Sequence, residues 1–258
     1  MSFIFAGISP HPPALIPNIG KDKLNQLEKT KSALEEMEGD LYVLQPDTIF
    51  IISPHSPVSP ESFSLNLASE FESGFDEFND QETKCTMQCD LQLVSKIKEA
   101  ADFSDSEIPV TIYTQPKLDH GVCVPLHYLS QHLPEIKIVP ISVSNLSNEQ
   151  HLEFGRILKN VALESNKRVA FIASADLAHN KQPDGQSYDV VLQKLLKERD
   201  IKGIVKMNPD LIGNAKQCGY QSILILLGAL QDSNFDTKIY SYEAPLGVGY
   251  LVADFTLK

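Results

Sequence analysis

The sequence predicts a three-layer α/β domain in which an open, mostly parallel sheet carries helices on both faces. Short apolar runs rich in β-branched residues alternate with amphipathic stretches along the chain, and this alternation is typical of α/β folds. The apolar runs are nearly continuous, which indicates central strands covered on both faces. No repeat, low-complexity tract or Gly/Ser linker interrupts the 258 residues. Residues 1–258 are therefore predicted to form a single domain.

The apolar runs locate the predicted strands. FIFAGI predicts a first strand at 2–8, and TIFIIS predicts a second at 48–53. The runs VTIY, IKIVPISV and RVAFIAS predict strands at 110–113, 137–143 and 168–173, and two final strands are predicted at 237–242 and 249–256. The acidic segment 70–82, rich in Phe and Glu, is interpreted as a strand that leads into an exposed loop.

Amphipathic stretches between these strands predict the helices. Residues 21–44 repeat leucine and methionine at approximately helical spacing. A second helix is predicted where Leu91, Val94 and Ile97 recur every three residues. Ser147 precedes the helical pattern at 148–164, and serine is a favoured N-cap. Residues 219–230 are largely apolar and predict a buried helix.

Charge and composition exclude several classes of protein. Asp and Glu number 34 against 22 Lys and Arg, which gives a net charge of −12. Such a field repels polyanions, so neither nucleic acid nor an anionic membrane surface is an expected partner. The longest strongly apolar run, 223–230, is far shorter than the roughly 20 residues of a membrane span. The start MSFIFAG has no basic region typical of signal peptides, and four irregularly spaced cysteines predict no disulfide framework. We therefore expect a cytoplasmic protein with free thiols.

Three histidines follow predicted strands directly. His11 lies in SPHPP after the first strand, His55 in SPHSP after the second, and His179 in ADLAH after the strand at 168–173. Ligands of open α/β sheets bind beyond the carboxyl ends of the strands, so these side chains are expected to converge. Any one of them alone is more often a hydrogen-bonded structural residue. Together they predict a site, because neutral imidazole is the commonest metal ligand and a natural proton carrier near pH 7.

A fourth histidine, His120, follows the predicted strand at 110–113 and is expected at the same edge of the sheet. Asp119 is placed to orient its ring, and Gly121 allows a close backbone approach.

These motifs resemble one family over almost the whole chain. SPHPPALIPNIG, SPHSP, LDHGVCVPLHYL, ASADLAH and YEAPLGVGYLVA resemble the class III extradiol ring-cleavage dioxygenases, in their catalytic LigB-type subunit, and the related Memo family. The resemblance implies a single α/β domain with an open sheet. It also implies that His11 and His55 bind a metal, and that His120 and His179 move protons. Asp176, three residues before His179, is expected to bond the imidazole or to line the pocket.

The third metal ligand is the point at which this sequence departs from the dioxygenases. Their third ligand is a carboxylate, whereas the corresponding segment here, 216–221, offers none. Memo-like proteins carry a cysteine in a similar Cys-Gly context, so Cys218 is the predicted ligand. Glu243, on another loop, is the alternative carboxylate.

Two functions follow from the resemblance. The first is an oxidoreductase that uses a divalent metal, Fe(II) before Zn or Cu, to open a catechol-type ring with O₂. The second is a Memo-like metal-binding protein without ring cleavage, which acts in redox chemistry or through partners. Metal-assisted hydrolysis with the same histidines is a third alternative. The sequence leaves open the substrate, the metal and any homo-oligomer.

Overall fold

A computed structural model describes residues 2–180 and 183–258. Its strands in this part of the chain are β1 (Phe3–Ser9), β2 (Thr48–Ser53), β3 (Phe63–Asn66), β4 (Glu70–Glu72), β5 (Thr86–Cys89), β6 (Val110–Tyr113), β7 (Lys137–Ser142), β8 (Val169–Ser174), β9 (Phe235–Glu243) and β10 (Tyr250–Leu257). Its α-helices are α1 (Pro17–Gly20), α2 (Glu28–Leu44), α3 (Leu91–Asp102), α4 (His120–Leu129), α5 (Asn148–Glu164), α6 (Pro183–Glu198), α7 (Ile201–Val205), α8 (Pro209–Ala215) and α9 (Tyr220–Leu230).

All the described strands join one mixed sheet. Its main path runs β4-β5-β7-β2-β8-β1-β10-β9, and β3 pairs with β7 and carries β6. The four central strands β7, β2, β8 and β1 are parallel, with Ser53 beside Ser142 and Ser9 beside Ser174. The carboxyl ends of these strands therefore meet at one edge, where parallel α/β sheets bind their ligands.

The central strands are buried on both faces. Every residue of β2 and β8 is buried, as expected of strands that helices cover on both faces. Helices α2 and α4 pack together, while α5 packs against α9 and α3. The predicted three-layer α/β class is confirmed, with antiparallel pairs added at the β9–β10 edge and around β3 and β4.

Some elements differ from the sequence prediction. The helix predicted at 21–44 is divided, with a 3₁₀ segment at Lys21–Leu27 before α2. The acidic segment contains the short strand β4 and a 3₁₀ turn at Asp76–Phe78. Strands β3 and β5 and helices α6 to α8 were not predicted. None of the helices within the described ranges is both long and apolar enough to cross a bilayer.

Asp90 holds the amino-terminal edge of the sheet together. It caps α3 by accepting from the amide of Leu93, and it also accepts from the Thr48 hydroxyl at 2.6 Å and the Lys167 ammonium at 2.5 Å. Burial raises the pKa of its carboxyl, but the hydrogen bonds from Lys167 and Thr48 outweigh burial and hold the pKa below its usual value.

We expect Asp90→Asn to lower the free energy of unfolding by about 2 kcal/mol at pH 7, because the cap and the ion pair are weakened. Because the folded-state pKa is depressed, this contribution is complete above the unfolded pKa of about 3.9 and is lost as the pH falls through the folded value. Urea unfolding at pH 7 and pH 3 measures it. Asp102→Asn, on the exposed face of α3, is the control. A gap between wild type and Asp90→Asn that did not narrow at pH 3 would contradict the assignment.

Candidate metal centre

His11 is the most firmly held of the strand-end histidines. It follows β1 after Pro10, and its side chain is buried. Its amide donates to Oδ1 of Asp176 at 2.8 Å, and Nδ1 lies 2.8 Å from the hydroxyl of Ser174. Both partners lie on or just after β8, the parallel neighbour of β1. These contacts leave Nε2 as the nitrogen that faces the site.

His55 brings a second imidazole to the same point. It follows β2, and its amide donates to the Ser53 hydroxyl at 3.1 Å. Its Nε2 lies 3.0 Å from Nε2 of His11. Burial, followed by the neighbouring histidines, lowers the pKa of His11 well below 6.5; burial and then His120 lower the pKa of His55. Both rings are therefore neutral at neutral pH, the form in which imidazole binds a metal.

His120 completes a cluster of three imidazoles. One ring nitrogen from each of His11, His55 and His120 lies within 4.8 Å of the other two. The His120 ring lies over that of His55, with centroids 4.3 Å apart, and packs edge-on against Phe78. Its Nδ1 lies 3.2 Å from the carboxylate of Glu77. Glu77, rather than Asp119, is thus the carboxylate that contacts this ring.

Asp119 instead joins the segment after β2 to the start of α4. Its carboxylate caps α4 through the Val122 amide and accepts from the hydroxyls of Ser53 at 2.8 Å and Ser56 at 2.6 Å. A Cβ at Gly121 would lie 2.5 Å from the Ser53 hydroxyl and 3.2 Å from His55 Cδ2. Glycine at this position therefore allows the start of α4 to approach the His55 loop.

Cys218, just before α9, lies beside His11. Its Sγ is 3.4 Å from Nε2 of His11 and 3.7 Å from Nε2 of His179. Burial, and then the charge of Asp176, raise the pKa of the thiol to about 12. A bound cation would reverse this, because a coordinating thiol loses its proton.

Asp176 and His179 lie in the segment that follows β8 and reach the site from there. Oδ2 of Asp176 is 3.8 Å from Nε2 of His11, and burial raises the pKa of this carboxyl to about 7. The backbone after β8 is fixed by hydrogen bonds from the Leu177 amide to Gly249 and from the His179 amide to Ala215. The structure therefore brings both residues to the cluster predicted from the strand ends.

Comparison with known families shows the family to which the chain belongs. Residues 6–253 match the family described as the catalytic LigB subunit of aromatic ring-opening dioxygenases. The chain belongs to the LigB family. The crystal structure of the uncharacterised protein JW3007 from Escherichia coli K12 has the same fold as this LigB-family chain, with a TM-score of 0.68 at 16% identity, covering 97% of this chain and 99% of that one.

Curated relatives are also similar to this LigB-family chain. Protein CA_C1420 of Clostridium acetobutylicum is 31% identical over 256 residues, which cover 93% of this chain and 55% of that protein. A MEMO1 family protein of Methanococcus maripaludis strain C6 is 26% identical over 136 residues, covering 50% and 46% respectively. The chain spans about half the length of the curated relatives it matches. The resemblance to LigB-type and Memo-like proteins is confirmed.

The alternative third ligand of this LigB-family chain, Glu243, already has protein partners. Its Oε1 accepts from the amide of Thr30 at 2.8 Å and from the Thr30 hydroxyl at 2.5 Å. These bonds join the end of β9 to the first turn of α2. Cys218 and Asp176, in contrast, both lie within 4 Å of Nε2 of His11.

The donor set of this LigB-family site fits a divalent transition metal. Two neutral imidazole nitrogens 3.0 Å apart, with a thiol and a buried carboxyl beside them, are ligands that iron, zinc and copper accept. His11 and His55 would hold the ion, and His120, His179, Cys218 and Asp176 surround it. Sequence reasoning missed Glu77, which contacts the His120 ring, and Ser174, which contacts the His11 ring.

Proposed function

We propose that this LigB-family chain is a metal-dependent oxidoreductase that opens a catechol-type ring and incorporates both atoms of O₂. The observation that carries the proposal is the pair of neutral imidazoles of His11 and His55, whose Nε2 atoms are 3.0 Å apart. The His120 ring packs against that of His11, with centroids 5.7 Å apart, and Nε2 of His179 lies 3.7 Å from Sγ of Cys218. Such an arrangement combines metal-binding nitrogens with groups that can accept a proton.

A cavity beside His55 has the size and lining expected for a small polar aromatic substrate. A cavity of about 350 Å³ adjoins His55 and is lined among others by Glu77, Tyr113, Gln115 and Lys117. This volume lies at the lower end of the range for small-molecule sites, about 300–1,000 Å³. Its mixture of an aromatic ring with donors and acceptors suits a substituted catechol.

The protein residues would divide the work between binding and proton transfer. A bound Fe(II) supplies the Lewis acid that makes a chelated hydroxyl more acidic and the electrons that activate O₂. His179 accepts the hydroxyl proton at Nε2 and returns it during ring opening. Its pKa is lowered by burial, so the ring is neutral and able to accept. His120, whose Nδ1 lies 3.2 Å from the Glu77 carboxylate, is the second group that can exchange a proton.

The proposal is tested by loading the protein with Fe(II) under anaerobic conditions and adding catechols with and without acidic or basic substituents. We expect a colour change on binding. Subsequent addition of air should give O₂ uptake with a product 32 mass units heavier than the substrate. The metal-free protein is the control. One bound Fe(II) per chain with neither colour change nor heavier product across the set would refute ring cleavage.

Cys218 favours a second candidate function, that of a Memo-like metal-binding protein without ring cleavage. Its Sγ lies 3.4 Å from Nε2 of His11, and thiolate ligands favour Cu(I) and Zn(II). The third ligand distinguishes the two candidates, because a thiolate in place of a carboxylate makes an oxygenase iron site less suitable.

We expect Cys218 to be the third ligand. Metal binding should deprotonate the thiol, yet coordinated sulfur should react slowly with iodoacetamide until the metal is chelated. The extended X-ray absorption fine structure of the zinc form should show a sulfur neighbour at about 2.3 Å. Cys218→Ser should weaken metal binding about tenfold or more, in keeping with the loss of a direct ligand.

Glu243→Gln is the matched comparison. We expect it to retain the metal, since Glu243 is bonded to Thr30. A spectrum with only nitrogen and oxygen neighbours, together with metal loss in Glu243→Gln but not in Cys218→Ser, would exclude Cys218 and favour the dioxygenase.

A further inference from the structure

Ser174 connects His11 to the start of α4 through a single buried hydroxyl. It is the last residue of β8 and is fully buried. Its Oγ lies 2.8 Å from Nδ1 of His11 and donates to the backbone carbonyl of Gly121. A hydroxyl has one proton to donate and lone pairs with which to accept. Because a carbonyl can only accept, the Ser174 proton belongs to Gly121.

Pro125 explains why the Gly121 carbonyl is open to this bond. In an α-helix the carbonyl of residue 121 would accept from the amide of residue 125. Residue 125 of α4 is proline, which has no N–H and whose ring crowds the carbonyl four residues earlier. The carbonyl of Gly121 is therefore without its usual helical donor and takes the hydroxyl of Ser174.

We infer that Pro125, Gly121 and Ser174 form a relay that sets the tautomer of His11. With the Ser174 proton committed to Gly121, the hydroxyl can only accept from His11, so the ring carries its proton on Nδ1. Nε2 then keeps its lone pair, and it is this nitrogen that lies 3.0 Å from His55 and 3.4 Å from Cys218. Ser174 is thus a positioning residue, and Pro125 acts on the site through it. The consequence for metal affinity rests on the proposed function.

Two variants separate this relay from a merely structural role. Ser174→Ala removes the acceptor for the Nδ1 proton. Pro125→Ala keeps Ser174 but supplies an amide at 125 for the Gly121 carbonyl, which frees the hydroxyl to donate to His11 and favours a proton on Nε2. Pro125 is buried, so the loss of packing opposes the gain in helix propensity, and the melting temperature shows whether each variant is folded. Ser222→Ala, which alters another buried serine whose hydroxyl has no partner among the described residues, is the control.

The first measurement is the tautomer of His11 in the metal-free protein, by long-range ¹H–¹⁵N NMR with the signal assigned from a His11→Gln variant. We expect Nδ1 protonation in wild type and Ser222→Ala, and a shift toward the Nε2-protonated form in Pro125→Ala and Ser174→Ala. The second is Zn(II) affinity by competition with a chelator. Both test variants should bind about 10- to 100-fold more weakly, the usual effect of losing a partner that orients a ligand.

The two measurements test the relay and the proposed metal site separately. A wild-type protein that binds no Zn(II) would contradict the proposed function, while the tautomer of His11 would still test the relay. The relay is refuted if wild-type His11 carries its proton on Nε2. It is equally refuted if Pro125→Ala and Ser174→Ala keep the wild-type tautomer and bind Zn(II) within twofold of wild type.

Discussion

Replacing His11 or His55 with Ala is expected to abolish stoichiometric metal binding. The two Nε2 atoms are 3.0 Å apart, so one ion would bind both, and neither ring alone provides the chelate. Metal content per chain after dialysis against Fe(II) or Zn(II), measured by plasma mass spectrometry, should fall from about one to near zero in each variant.

His55→Ala is the cleaner of the two variants. The His55 side chain is partly exposed, whereas His11 is buried and bonded to Ser174, so His11→Ala also leaves a buried cavity and removes one of the two partners of the Ser174 hydroxyl. Circular dichroism and the melting temperature show whether each variant is folded. His132→Ala, whose ring is largely exposed and pairs with Glu38, is the control and should bind as wild type does. Full occupancy with unchanged affinity in folded His55→Ala would exclude a shared ion.

Replacing His179 with Gln is expected to preserve metal binding and to lower turnover by about 10²–10⁴-fold, the usual contribution of a positioned acid or base. Nε2 of His179 lies 3.7 Å from Sγ of Cys218, close enough to the cluster to exchange a proton with a bound substrate. Glutamine retains a polar group of similar reach but cannot take up a proton near neutral pH. Steady-state O₂ uptake with the best catechol measures turnover, and metal content is measured on the same sample.

His132→Gln serves as the matched control for this substitution, because it changes the same residue type outside the site. Loss of metal from folded His179→Gln would make His179 a ligand. Unchanged turnover with full metal occupancy would remove it from the proton path, which would leave His120 as the base.

The core of the site was predictable because it depends on strand order and polarity. His11 and His55 each follow an apolar run that becomes a central parallel strand, and the ends of such strands meet at one edge. Cys218 came within reach of His11 as the family resemblance implied. In each case a local sequence pattern identified the residue, and the order of the strands in the sheet brings its side chain to the site.

The remaining residues depend on contacts that no local pattern records. Glu77 is one of several acidic residues in a segment without regular periodicity, and only the 3₁₀ turn at Asp76–Phe78 brings it to His120. Ser174 is an ordinary serine at a strand end, whose role depends on Gly121 in another element. Strand β5 did carry an alternating burial pattern, but four residues are too few to distinguish it from a loop.

The positions of the His11 partners in the chain have a consequence for biosynthesis. Ser174 and Asp176, which hold the ring and the backbone of His11, lie 163 and 165 residues further along. A nascent chain that extends only just past β2 therefore contains the imidazoles of His11 and His55 but neither of these supports. Both supports depend on β8, which pairs with β1 and β2, so they form only after β8 has been synthesised. We therefore expect the proposed site to bind an ion tightly only after most of the polypeptide has been synthesised.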